Sequence, residues 1–160
     1  MKTALFPTRL AMGALTLVLA TLAGAGAAAA ADYYKTAGNL AVYLGVLPAE
    51  MVQGHSPEHP EGKMHDGIPS AKRQHHVVVA VFNTNDGSRI TNAEVTARVG
   101  EIGLAQTQKK LNRMAINKTI SYGNYFSMGS PGPYRIEIEI LRPGSTGPVK
   151  TTFEYSHPRR

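Results

Sequence analysis

Apolar and polar residues alternate with period two through much of the chain beyond residue 31. Between Asn39 and Val46, the residues Leu40, Val42, Leu44 and Val46 share one face. From Glu94 to Val99, Val95, Ala97 and Val99 alternate with Glu94, Thr96 and Arg98. The clearest stretch is Tyr134 to Ile140, where Tyr134, Ile136, Ile138 and Ile140 oppose Arg135, Glu137 and Glu139. Val149, Thr151, Phe153 and Tyr155 line one side of the last such segment. Each pattern predicts a strand with one buried face.

His75 to Phe82 breaks the alternation, because His-His-Val-Val-Val-Ala-Val-Phe has no polar face. A strand of this composition is expected to be covered on both sides. In a sandwich the second cover must be a loop or a second subunit, which argues for a dimer. Turn signals separate the strands. Asn83-Thr84-Asn85-Asp86-Gly87 predicts a hairpin loop, and Ser130-Pro131-Gly132-Pro133 and Pro143 to Pro148 predict two further turns. Leu104 to Leu111 predicts a short helix. The whole reads as an all-β chain, an immunoglobulin-like antiparallel β-sandwich of about seven to nine strands.

The first 31 residues stand apart. Lys2 and Arg9 precede an apolar run from Leu10 to Leu22, and Ala29-Ala30-Ala31 fits a small-residue cleavage site before Asp32. This predicts a cleaved signal peptide over 1–31, too short in its apolar run for a membrane span, and a single domain over 32–160. The expected location is the periplasm. Cysteine is absent from the chain, so neither disulfides nor thiolate metal ligands are available. The 11 acidic residues all follow Ala31, with 15 of the 17 basic ones, leaving a mild positive excess spread along the sequence. A nucleic-acid binder concentrates such charge on one face among aromatics, so no nucleic-acid partner is expected.

Candidate chemistry gathers in one region. Gly54 to Lys72 carries Pro57, Pro60 and Pro69, little apolar content and no periodicity. A loop of that length is unusual in a compact domain and marks function or disorder. Five of the six histidines, His55, His59, His65, His75 and His76, fall in or just after it. Met51 and Met64 lie among or beside them, with Glu58, Glu61 and Asp66. Thioether sulfur favours Cu(I), and imidazole serves Cu(II) and other borderline metals, so the set points to copper. A solvated polar loop accounts for any one of His55, His59 and His65 equally well. His75 and His76 are neighbours on a strand and must point to opposite faces, so at most one joins a given centre. His157, after the last strand, reads as bland. Met114 taken alone reads as core filler, and Met128 lies near a turn. No nucleophile elbow, phosphate loop or zinc-protease helix is present, and Glu137 and Glu139 read as a polar strand surface, so no enzyme is expected.

Three blocks resemble a known family. The first is Leu40-Ala41-Val42-Tyr43-Leu44 followed by Pro48-Ala49-Glu50-Met51. The second is His75 to Phe82 with Asn83-Thr84-Asn85-Asp86-Gly87. The third is Met114, six residues, then Ser121-Tyr122-Gly123-Asn124, followed by Gly132-Pro133-Tyr134 and the ending at Pro143. Together they resemble the periplasmic Fe(II)-transport accessory proteins, small copper-binding sandwich proteins that accompany an iron permease. The third block is similar to that family's Met, six residues, His-Tyr-Gly motif, with Ser121 where the family has histidine. The late loop that carries another histidine in the family is shortened here to Gly144-Ser145-Thr146-Gly147.

The resemblance implies a metal site built on Met114 and one of His75 and His76, with Met51 and Glu50 in an acidic-methionine turn. Two alternatives follow from the lost ligands: His55, His59 and His65 replace them, with Met64 closing over the site from the same loop, or the site has decayed. It also implies a homodimer, a membrane permease as partner, copper as the bound metal and iron as the cargo. The competing reading is a metal-free sandwich that docks on an envelope partner.

Overall fold

Eight strands and one short helix make up a computed structural model that describes residues 32–53, 72–116 and 118–158. The strands are β1 (Tyr34–Ala37), β2 (Leu40–Pro48), β3 (Gln74–Asn83), β4 (Glu94–Glu101), β5 (Thr107–Ile116), β6 (Thr119–Ser127), β7 (Tyr134–Leu141) and β8 (Val149–Tyr155). The helix, α1 (Ala49–Gln53), follows directly from β2. Residues 1–31, read above as a signal peptide, lie outside the described residues. Among the described residues no helix is long and apolar enough to cross a membrane.

All pairings are antiparallel, in the order β1-β2-β3-β6-β5-β4-β7-β8. β5 belongs to two layers. Its first half pairs with β4, from Val95↔Leu111 to Val99↔Thr107, and its second half pairs with β6, from Asn112↔Gly123 to Ile116↔Thr119. The sheet therefore folds over between Leu111 and Asn112. One layer holds β1, β2, β3 and β6, the other β4, β7 and β8. The free edges approach each other, with Lys35 Nζ 5.9 Å from the Phe153 ring centre. The result is an eight-stranded antiparallel sandwich, nearly closed into a barrel.

The alternation read from the sequence decides what fills it. Leu40 and Val42, Val77, Val79 and Val81, and Ile136, Ile138 and Ile140 all turn into one core. On the outer face of β7, Glu137 pairs with Arg98 at 3.2 Å and Glu139 with Lys150 at 2.8 Å. These carboxylates form the polar strand surface that their period predicts.

One expectation changes. Leu104 to Leu111 is not a helix. Leu104 sits exposed in a turn, and Thr107 onward is strand β5, held by pairing along its whole length. Ladder pairing has overridden the local helical propensity of Gln, Lys and Leu. The turn at Asn83–Gly87 forms, with Gly87 at φ 69° and the Asp86 carboxylate accepting from the Ser88 amide at 2.9 Å. It closes a short hairpin, in which Arg89 bridges Phe82 and the Ile90 amide donates to the Val81 carbonyl at 2.8 Å, before β4 crosses to the other layer. Finally, the outer face of β3 is partly covered from within the chain. The Tyr43 ring meets Phe82 at 5.5 Å and the Arg89 guanidinium lies 4.5 Å from the same ring.

Candidate metal centre

Two consecutive histidines open β3, and the pleat sends them to opposite sides. His75 shares parity with Val77, Val79 and Val81 and faces inward at the end of the core. His76 faces outward. Its pairing partner on β6 is Tyr125, and the two rings stack 4.6 Å apart at 21°. On β6 the core takes Tyr122 and Phe126, so Ser121, Gly123 and Tyr125 also face outward. On β5 the core takes Leu111, and Met114, opposite Ser121, faces outward as well. His76, Tyr125, Gly123, Ser121 and Met114 therefore share one outer face across β3, β6 and β5.

Although turned away from the core, His76 and Met114 are each only 1% exposed. Their side chains meet over Gly123. A Cβ built on that glycine would lie 2.6 Å from His76 Nε2, 2.6 Å from Met114 Cε and 3.0 Å from Met114 Sδ. The two 2.6 Å separations are shorter than real Cβ contacts, so glycine leaves a hollow on the outer face that the ends of the His76 and Met114 side chains fill. An imidazole nitrogen and a thioether sulfur converge on it. Both are donors for copper, and the sulfur favours the Cu(I) state. The donor set fits that metal and does not fit a hard cation, which takes oxygen ligands.

The remaining candidates are placed as follows. Met51 is exposed on α1 and Glu50 lies beside it on the same helix. Neither belongs to the outer-face group. His55, His59, Met64 and His65 lie outside the described residues, in the segment between Gln53 and Lys72. Among the described residues no three histidine, cysteine or carboxylate side chains gather as a metal cluster. Ser121, at the position where the resemblance expects histidine, lies opposite Met114 and next to the hollow.

His75 meets His157, the histidine whose place in the sequence reads as bland. Its ring lies 4.5 Å from that of His157. His157 Nε2 bonds the Met128 carbonyl at 3.0 Å, and Nδ1 bonds the Tyr155 hydroxyl at 3.2 Å. A carbonyl only accepts, so Nε2 carries the hydrogen, and in the neutral ring the Tyr155 hydroxyl donates to Nδ1. Burial holds the His75 pKa below the usual histidine value. The nearby His157 pushes the same way, against smaller opposing pulls from the Arg73 backbone and Glu50. A signal for this pair existed. Phe153 and Tyr155 face inward, and the same period carried two residues further turns His157 in.

No family model matches the chain, and no curated protein matches it. Solved structures do. A copper-bound variant of FetP from uropathogenic Escherichia coli strain F11 superposes with a TM-score of 0.57 at 16% identity, covering 79% of this chain and 95% of that one. The copper-reconstituted P19 protein of Campylobacter jejuni gives 0.58 at 12%, covering 79% and 94%. A DUF4426-family protein of Pseudomonas aeruginosa gives 0.57 at 16%, covering 78% and 90%. The chain shares the fold of these proteins. Two of the three hold copper in their structures.

Proposed function

We propose that this is a copper-binding protein that acts outside the cytoplasm in metal uptake or homeostasis. The observation that carries the reading is the convergence of His76 Nε2 and Met114 Sδ on the hollow above Gly123. The copper-bound structures of FetP and P19 on the same fold support it. So does the run of small and apolar residues before Asp32, which reads as an export signal.

In this reading His76 supplies an imidazole and Met114 a thioether. Tyr125, stacked on His76, holds the ring in place. Bound copper there supplies a soft, redox-active centre, and the protein's own residues bind and deliver it without bond chemistry. His55, His59, Met64 and His65 are further donors within the same chain. A role beside an iron permease, iron as cargo and a homodimeric state rest on the family resemblance alone.

The test is Cu(I) competition titration of the wild type, His76→Ala and Met114→Ala. Loss of either donor is expected to weaken binding by at least about a hundredfold. Full affinity in both variants removes the site. Protein that carries no copper and takes up none belongs to the metal-free docking class instead.

A further inference from the structure

The outer face of the sheet holds a second hollow, formed where β1, β2 and β3 pair. Tyr34 faces Tyr43, Tyr43 faces Ala80, and Ala41 faces Phe82. Small and aromatic residues thus alternate on neighbouring strands. The two alanines leave a trough that the rings wall in, with a volume of about 630 Å³. The Tyr34 and Tyr43 rings lie 4.8 Å apart, and Tyr43 meets Phe82 edge-on at 5.5 Å. Tyr34 and Tyr43 remain 45% and 46% exposed, so their faces are open to a ligand. The pocket is separate from the copper site, since neither His76 nor Met114 lines it.

Its one charged wall is Arg89. The guanidinium is half-buried and packs 4.5 Å from the Phe82 ring centre. Nη1 donates to the Ile120 carbonyl at 2.6 Å and reaches Ser121 Oγ at 3.4 Å. These bonds fix the fork but leave the charge uncompensated, because no carboxylate among the described residues pairs with it. A partly desolvated cation beside apolar rings is completed by an anion whose body covers those rings. The volume falls within the usual range for a small-molecule site.

We propose that this pocket binds a small organic anion, a flat apolar ring bearing one carboxylate. The carboxylate pairs with Arg89 and the ring lies across Tyr34, Tyr43 and Phe82 above the alanine floor. A cation of the same shape is repelled by Arg89, and a neutral ring gains only the apolar part.

The experiment is isothermal titration of the full protein with 2-naphthoate and, for comparison, naphthylmethylammonium. Naphthoate is expected to bind at one site per chain, at least about tenfold more tightly than the cation, because opposite charges meet only in its case. Arg89→Gln is expected to remove that preference. Ala80→Leu fills the trough from the outer face without touching Arg89 or the core, and is expected to abolish binding. Far-ultraviolet circular dichroism checks that both variants fold. Equal affinity for the two ions, unchanged naphthoate binding in Ala80→Leu, or no naphthoate binding at all overturns the proposal. Self-association that Ala80→Leu abolishes, without naphthoate binding, assigns the face to a second copy of the chain and also overturns it.

Discussion

His76 and Met114 sit on strands separated by β6, yet both side chains end over the same residue, Gly123. Neither reaches the other through its own strand pairing. His76 pairs with Tyr125 and Met114 with Ser121, and each leans along the strand toward the glycine between those two partners. The missing Cβ is what lets them meet.

Gly123→Ala therefore tests the hollow directly. The new methyl group would need the space that His76 Nε2 and Met114 Cε occupy at 2.6 Å. The thioether is flexible and can move, but moving it parts the donors. Copper affinity is expected to fall by about tenfold or more, on the scale of a disturbed ligand orientation. Stability is expected to fall by about 1–3 kcal/mol for overpacking. Cu(I) titration and urea unfolding measure the two effects.

Ser121→His is expected to act in the opposite direction. Ser121 lies directly opposite Met114 and faces the same side, where paired side chains stand about 4.5–5.5 Å apart at Cβ. An imidazole there adds a third donor to the hollow. Copper affinity is expected to rise by about tenfold or more, a gain of about 1.4 kcal/mol or more. Unchanged or weaker binding on titration would place the metal elsewhere.

His75 is expected to matter for folding and not for copper. Its folded pKa lies below the unfolded value, so the native state holds it neutral. As pH falls through the ordinary histidine range, the unfolded chain takes up this proton before the folded one does. Stability contributed here is present above that range and is lost as pH drops through it toward the lower folded pKa. The urea midpoint is expected to fall between about pH 7 and about pH 5, and to fall less in His75→Gln. Copper affinity of His75→Gln at about pH 7 is expected to match the wild type.

Tyr122 ties β6 to the crossing between the two layers. Its hydroxyl accepts from the Ala93 amide at 3.0 Å and donates to the Ile90 carbonyl at 3.1 Å. Tyr122→Phe keeps the ring in the core and strands both backbone groups. A loss of about 1–3 kcal/mol is expected in urea unfolding, with copper binding unaffected.

Much of this was legible in the sequence. Where one face is buried and the other wet, the period of two is written in residue types, and β2, β4, β7 and β8 follow from it within one or two residues. β5 was not legible. Gln108, Lys109, Lys110, Asn112 and Arg113 give it no apolar face, and what makes it a strand is its pairing with two different layers. The same limit applied to the site. Strand parity foretold that His75 and His76 would part, but not which of them would meet Met114. That depends on β6 lying between β3 and β5, with glycine at the one position where a side chain would block the approach. Sequence order contains neither the neighbour nor the gap.

The central claim is that the Met114 sulfur is a copper donor. The most direct measurement is carbon-13 NMR of protein labelled at its methionine methyl groups, with the Met114 signal assigned by Met114→Leu, on addition of one equivalent of Cu(I). The account predicts that the Met114 methyl resonance moves in proportion to bound copper, and that it does not move in His76→Ala. A Met114 signal that stays fixed while the protein binds copper would contradict it.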